Sequence, residues 1–478
     1  MSRRTGWILL TLLVVGSILF AACAPAEEEP TATPMEEPTE PPAEEPTDTP
    51  MEEPTEEPTE PPAEEPTPTE EALVSPDDID CMGAEGGTVS FIGPWSGGEE
   101  STFTSILQPF FDKCDVEIQY EGTRDLAVYT TRIEGGNPPD IAAFSNPGLF
   151  ERFTEFMVPL GDVIPLDEYP ETWQQLGSVD DTVYGAFMKT DNKSLVWYSP
   201  IIFQAQGWET PESWDDVQSL MDTMAGADAA PWSCGMESGE ATGWVATDWI
   251  QDFLLRTQGA EFIEEWVDHD VAWTDPAIAD AWERWYSICG SDEYAVGGAQ
   301  GTLNTTFQNS ILLVFQEPPE GYMVRHATFV RTIVENNLGE LEPVDDYDFF
   351  PFPQLNDEIG APMQVGGDII GFFNPDNEAA LAMANYLLSE VGQRAMVRLE
   401  WGLSANNQIT ADDYPSELLG KAAELLQDAP AVSFDADDRM PGGLNTTYWQ
   451  ATVDYLTGGD LETILQNMEE AAVEAYEE

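Results

Sequence analysis

From Ala24 to Ser75 the chain carries 18 acidic residues and no Lys or Arg, in Pro-Thr-Glu text where Met35-Glu-Glu-Pro-Thr-Glu recurs at Met51. Pro removes backbone donors, like charges repel, and almost nothing apolar is available to bury. The stretch is therefore read as an extended, disordered stalk and not as part of a fold. An acidic interaction tail is the alternative. The run divides a short leader from a body of about 400 residues, long enough for two or more domains. With 42% hydrophobic and 11% aromatic residues in the chain, that body has apolar material for large cores.

Ahead of the run, Arg3 and Arg4, the apolar stretch Trp7 to Phe20 and the small pair Ala21, Ala22 read as an export signal over residues 1–23. The stretch is short for a bilayer span, and acidic text follows it. Phe20-Ala21-Ala22-Cys23 resembles a bacterial lipobox, in which the Cys becomes the lipidated first residue of the mature protein. That resemblance implies an exported protein held on the outer face of the cell membrane by a lipid on Cys23.

The chain has 16 Lys and Arg against 91 Asp and Glu, a net charge of −75. Without a basic face it is no nucleic-acid binder. After Cys23 only Cys81, Cys114, Cys234 and Cys289 remain. An even number in an exported chain points to disulfides, and of three connectivities the pairing Cys81 to Cys114 and Cys234 to Cys289 closes the shortest loops. No CxxC spacing occurs and the two His, His269 and His326, stand alone, so no metal is expected.

In the body, Thr88 to Gly93 reads as a buried strand, and Glu99 to Lys113 follows with Phe103, Ile106, Leu107, Phe110 and Phe111 at helical spacing. A strand at Val116 to Tyr120, a helix at Leu126 to Ile133 and a strand at Asp140 to Phe144 continue the alternation. This pattern predicts an α/β fold with a parallel sheet and crossover helices. Ligands gather at the carboxyl ends of such strands, where Gly93-Pro-Trp-Ser-Gly-Gly, Glu121-Gly-Thr-Arg-Asp and Ser145-Asn-Pro-Gly would lie. Further strands are expected at Tyr347 to Pro353 and Gly371 to Phe373, and helices at Glu378 to Leu399 and Leu461 to Tyr476. The Trp-rich middle reads mostly as core, as with Trp282 and Trp285 at helical spacing, while Trp244 follows a polar loop.

The order lipobox, stalk, Trp-Ser-Gly-Gly-Glu, Tyr-Glu-Gly-Thr-Arg-Asp and Gly-Gly-Asn-Pro-Pro-Asp-Ile resembles the family 1 extracellular solute-binding proteins of ABC importers. Met236-Glu-Ser-Gly-Glu-Ala-Thr-Gly-Trp-Val-Ala-Thr-Asp-Trp-Ile, followed by Leu255-Arg-Thr-Gln-Gly, is similar to the alpha-glucoside and maltose-type carbohydrate subgroup. The resemblance implies a two-lobed periplasmic-binding-protein-like fold, each lobe a mixed sheet flanked by helices and joined by hinge crossovers. Crossings are implied near Met188 to Asn192, Met363 to Gly366 and Gly402 to Asn406. Lobe 1 would take residues 81–187 and 367–401, and lobe 2 residues 193–363 and 406–478. Such a receptor, a monomer without a cofactor, would close on an oligosaccharide and deliver it to ABC permease membrane subunits.

A sugar offers hydroxyls at its edge and a weakly apolar face, so it needs planar polar groups and an aromatic platform. Residues of the right type on the implied loops are Trp95, Ser96, Glu99, Thr123, Arg124, Asp125, Asn146, Trp197, Tyr198, Glu237, Trp244, Asp248, Arg325, His326, Gly367 and Asp368. Gly366 and Gly367 would let backbone approach the ligand or absorb hinge rotation. Tyr448 and Trp449 resemble an aromatic contact of maltose-type binders, though core packing explains them equally well.

The rival class is a secreted glycosidase, which needs two flanking carboxylates. A body with 73 acids contains such pairs by chance, so they decide nothing. No GxxxxGK[ST], HExxH, GxSxG or EF-hand pattern occurs. A cell-surface scaffold that holds polysaccharide is the third reading, and it would show little closure on its ligand.

Overall fold

The apolar run Thr88–Gly93 forms strand β1, bounded by Gly87 and Pro94. The helix Gly98–Cys114 then buries Phe103, Ile106, Leu107 and Phe110 on one face. Strand β2 (Glu117–Gly122), the helix Leu126–Ile133 and strand β3 (Ile141–Phe144) repeat the unit. Each helix carries the chain back across the sheet, so β1 pairs with both β2 and β3 in parallel. The structure is a computed structural model that describes residues 73–477 apart from 163, 165 and 442. The leader, Cys23 and the acidic run as far as residue 72 lie outside the described residues. Among the described residues no helix is long and apolar enough to cross a membrane.

The other strands of the two larger sheets are β4 (Gly185–Asn192), β5 (Leu195–Tyr198), β6 (Ala230–Trp232), β7 (Gly321–Arg325), β8 (Asp348–Pro351), β9 (Met363–Phe372) and β10 (Val432–Phe434), and Ser178–Val179 pairs with Thr182–Val183 in a short hairpin apart from them. The first sheet runs β10-β9-β3-β1-β2, with β4 antiparallel along β9. The second runs β8-β5-β7-β6. Alternation along its strands divides its two faces. Val196, Met323 and Phe350 point into a core built on the Trp-rich helices, where Trp232, Trp249, Trp266, Trp273, Trp282 and Trp285 are buried. Trp197, Val324 and Phe349 point the other way, against the helices Phe307–Phe315 and Val330–Leu338 and on into the first core. The fold is thus two-lobed, each lobe a mixed α/β layer structure.

Two elements differ from the sequence reading. The stretch Glu378 to Leu399 is two helices, Glu378–Leu388 and Glu390–Arg398. Ser389 between them takes an extended backbone, and its hydroxyl caps the second helix by accepting from the Gly392 N–H. Strand β9 begins at Met363 and not near Gly371, because Gly366 and Gly367 continue its pairing with β4. A Cβ on Gly367 would meet the Lys189 carbonyl oxygen at 2.4 Å, so only glycine allows the two strands to run this close.

The three segments expected to cross between lobes lie side by side. Gly366 pairs with Asp191, and Thr190 exchanges both backbone hydrogen bonds with Leu403, each 2.8 Å. Disulfides join Cys81 to Cys114 and Cys234 to Cys289, with Cα separations of 5.5 and 5.6 Å.

Beside these crossings lies a buried charged network. Arg325 on β7 donates to Asp248 at 2.8 Å and to Asp252 at 2.7 Å, both on the helix Trp244–Thr257, and to Gln364 on β9. Gln364 donates in turn to Asp248 at 2.9 Å and Asp435 at 3.1 Å. Lys193 sits 2.9 Å from Asp248 and also bonds Asp435. Arg256 completes the set, 3.3 Å from Asp252. Removing one partner of such a set strands buried carboxylates. Arg325→Met is expected to cost about 3–5 kcal/mol in a urea unfolding titration, and Arg325→Met combined with Asp248→Asn and Asp252→Asn to cost less than the single change.

Candidate functional site

At the carboxyl ends of β1 and β2 the chain opens a cleft of about 940 Å³. Ser96 and Arg124 from the loops after those strands and Glu99 from the first turn of the helix Gly98–Cys114 line one wall, joined by Glu400 and Trp401 after the helix Glu390–Arg398. Lys189 and Asp191 of crossing strand β4 also line it. Trp244, Phe307, Thr328, Phe329 and Arg331 form the facing wall. A second depression of about 780 Å³ lies on the helix Gly98–Cys114 beside Leu73 and Val74. It has no aromatic lining and is away from the strand ends.

The cleft's charges are held in pairs. Arg124 donates to the Pro94 carbonyl at 3.2 Å and lies 3.4 Å from Glu99. Lys189 is 3.4 Å from Asp368 and 3.9 Å from Glu99, with its ammonium 4.7 Å from the Trp401 ring centre. Burial opposes that charge, but Asp368 and its neighbouring carboxylates hold the lysine protonated above its ordinary range. Arg331 bonds Glu400 at 2.7 Å. Glu400 sits in the left-handed region at φ 54°, a conformation uncommon for a residue with a Cβ. This arrangement offers planar donors and acceptors beside aromatic faces, which suits a polyhydroxylated ligand.

Four of the sequence candidates, Ser96, Glu99, Arg124 and Trp244, come together here. The Trp244 indole donates to Ser238 at 2.9 Å, and its ring meets Phe307 edge-on at 5.2 Å. Trp95, Gly367 and Asp368 stand behind the wall. The Trp95 ring is buried against Phe103 and Trp401, and its indole N–H donates to Asp368 at 3.0 Å. Ser145 donates to the other Asp368 oxygen at 2.7 Å.

The other candidates have local or core partners. Asp125 caps the helix Leu126–Ile133, accepting from Ala127 at 2.9 Å, and Thr123 accepts from the Asp125 N–H at 3.0 Å. Asn146 caps the helix Pro147–Arg152, accepting from Leu149 at 2.8 Å. Trp197 is buried on Phe349 and donates to the His326 carbonyl at 2.9 Å, while Tyr198 packs on Phe203 and Phe350. Glu237 accepts from Gly239 at 2.9 Å. Asp248 and Arg325 belong to the buried network. His326 lies under Trp244, Phe307 and Phe329, and burial beside Arg325 pushes its pKa well below the ordinary histidine value, so it is neutral.

Sequence reasoning missed Lys189, Phe307, Phe329, Arg331, Glu400 and Trp401. Composition gives no signal for Lys189 and Arg331, since a cation in so acidic a body finds partners wherever it lies; only their burial on the cleft marks them.

The sequence profile of the bacterial extracellular solute-binding proteins matches residues 95–310. The osmoprotective compounds-binding protein GgtB of Synechocystis sp. is 35% identical over 389 residues, 80% of this chain and 91% of that protein. The alpha-glucosides-binding periplasmic protein AglE of Rhizobium meliloti is 30% identical over 408 residues, 81% of this chain and 87% of that protein. Among solved structures, the bacterial solute receptor AcbH, described as preferring β-D-galactopyranose, superposes with a TM-score of 0.68 at 18% identity, covering 83% of this chain and all but 1% of its own. A chitin oligosaccharide binding protein gives 0.67 at 17% identity, over 82% of this chain and 100% of that one. These two likenesses are of fold. With two relatives at 30% identity or more matched along most of their length, and a cleft built at the strand ends between two lobes, the chain belongs to the bacterial extracellular solute-binding proteins, the receptors of ABC importers.

Proposed function

We propose that the protein is a lipid-anchored receptor that closes on a short oligosaccharide of the alpha-glucoside type, such as maltose, trehalose or sucrose, and delivers it to the permease subunits of its importer. The observation that carries this reading is the cleft itself, which sets Trp244, Phe307, Phe329 and Trp401 beside Glu99, Arg124 and Lys189. Aromatic rings can take the face of a sugar while the paired charges bridge vicinal hydroxyls. Similarity to the alpha-glucosides-binding protein supports the sugar class. Similarity to the osmoprotective compounds-binding protein favours a second reading, a small neutral osmolyte in the same cleft.

In this reading the three adjacent crossings act as the hinge, with lobe 1 on 81–187 and 367–401 and lobe 2 on 193–363 and 406–478. The lipid on Cys23 and the acidic stalk would hold the body near the membrane. The ion pair between Arg331 and Glu400 would act as a closing contact at the cleft.

Titration calorimetry of the protein against maltose, trehalose and sucrose, followed by chromatography of the recovered sugar, is expected to give one-to-one binding of an intact disaccharide. Hydrolysis products would return the glycosidase, and binding of long polysaccharide without disaccharide binding the scaffold. Trp244→Ala is expected to weaken the binding by about 2 kcal/mol, roughly 30-fold in Kd. Cys23→Ser is expected to move the protein from the detergent-extracted membrane fraction to the soluble exported fraction. If it stays with the membrane, the anchor is not Cys23.

A further inference from the structure

Gly148 sits in the first turn of the helix Pro147–Arg152, where nothing in the local sequence asks for glycine. Asn146 caps that helix and Pro147 opens it, both suited to a helix start, and the Gly148 backbone is outside the left-handed region. Glycine is otherwise a poor helix former. The reason for it lies across the molecule. A Cβ on Gly148 would stand 3.1 Å from the carbonyl oxygen of Arg439 and 3.3 Å from its carbonyl carbon, tighter than ordinary van der Waals contact.

Arg439 ends the helix Ala436–Arg439, and the two helices belong to different cores. Phe150 packs the first into the first core, while Ala436 and Met440 pack the second into the Trp-rich core. Neither backbone can retreat without disturbing its own core. The Arg439 side chain turns away to Glu264, 2.7 Å from each carboxylate oxygen, so the approach is backbone to backbone. Beside it a cavity of about 260 Å³ is lined by Gly148 and Glu151 from one side and by Val267, Asp268, Pro441 and Tyr476 from the other. With room left around the contact, the approach at Gly148 is what fixes the spacing of the two helices.

This contact continues the two walls of the cleft. Behind the first wall, Asp368 holds Lys189 and accepts from Ser145, whose neighbour Asn146 caps the helix bearing Gly148. In the facing wall, Trp244 opens a helix whose Thr247 donates at 3.0 Å to Asp437, in the helix that ends at Arg439. The walls that stand apart across the cleft therefore meet at Gly148.

We propose that Gly148 is a positioning residue for closure: its missing side chain lets the two walls come together until the helices touch, which shuts one end of the cleft and restricts the receptor to a short ligand.

On the reading of the two bodies as lobes that close on a sugar, Gly148 touches no ligand and acts through distance alone. A Leu side chain there is longer than the gap, so the helices must part. The hinge converts that into a wider cleft, in which a disaccharide loses contact with one wall and a longer chain gains an exit. Gly148→Ala, with one added carbon, asks only a few tenths of an ångström of its neighbours.

Two measurements on the full chain test this, and the first needs no ligand. Trypsin reaches the Arg439–Met440 bond when the seam parts, while cutting at Arg284, in the helix Pro276–Cys289, reports unfolding of the same body. Gly148→Leu is expected to raise the cutting rate at Arg439 about tenfold over wild type and to leave that at Arg284 unchanged, with Gly148→Ala between the two proteins. An unchanged rate at Arg439 in Gly148→Leu, or equal acceleration at both sites in both variants, overturns the proposal. The second measurement is calorimetric titration with maltose and with maltotetraose. Wild type is expected to prefer maltose, and Gly148→Leu to lower the ratio of the two affinities about tenfold. An unchanged ratio in a protein whose Arg439 is cut faster overturns the length limit. A wild type that binds neither sugar sinks the sugar reading but not the seam, which the trypsin rates decide either way.

Discussion

Arg325 is the residue on which the junction between the sheets depends. It is fully buried, and its guanidinium reaches Asp248 and Asp252 on one helix and Gln364 on β9. A charge in that position is tolerable only because each of its donors meets a planar acceptor and because the acceptors are themselves held. Gln364 acts as the switchboard: its backbone N–H is satisfied by Ser194 at 2.8 Å and its amide by Asp248, Gln251 and Asp435. Strand β9 is therefore bound laterally to the second body at one end, while at its other end it pairs with β3 in the first sheet. Apolar contacts are insensitive to direction, whereas this set of bonds is satisfied in one register only.

The cleft inherits its order from the same place. Lys193 bonds Asp248 and Asp435 and lies 5.4 Å from the centre of the Trp244 ring, so the aromatic wall rests on the network. Four residues earlier, on crossing strand β4, Lys189 repeats the device with Asp368 and Trp401. Each wall thus has a lysine that is paired with a carboxylate behind and faces an indole. A ligand entering between them meets groups already oriented by the fold, which lowers the ordering cost of binding.

How far the sequence reveals this differs from element to element. The strand-helix alternation from Thr88 to Phe144 is a local pattern, and it leads directly to a parallel sheet and to the strand-to-helix turns around Ser96, Glu99 and Arg124. Asp248 stands out as a polar residue in apolar text, but the partner that explains it, Arg325, is 77 residues away, and periodicity cannot tell a guanidinium from a sugar hydroxyl. Trp95 beside a Gly-rich loop has the look of a platform, yet its ring is enclosed by Phe103 and Trp401, the latter more than 300 positions on in the chain. Glu400 and Trp401 lie just past what reads as one helix ending at Leu399, with no local pattern to mark them. They reach the cleft because the chain leaves the helix at Arg398 and turns through the left-handed conformation of Glu400.

Scarcity of cations ties these observations together. The body has 14 basic residues among 73 acids, so a lysine or arginine on its surface has no shortage of partners and its position carries little information. Burial reverses that. Lys193, Arg256 and Arg325 lie in the network, and Lys189 and Arg331 are the next least exposed, both on the cleft. Desolvating a cation is costly unless carboxylates surround it, and an acidic chain supplies those at every turn. Asp437 is buried with no cation in salt-bridge reach among the described residues, and Thr247 at 3.0 Å and the Trp449 indole donate to it instead. Where the supply of cations ends, neutral donors take over the same task of offsetting the desolvation of a carboxylate.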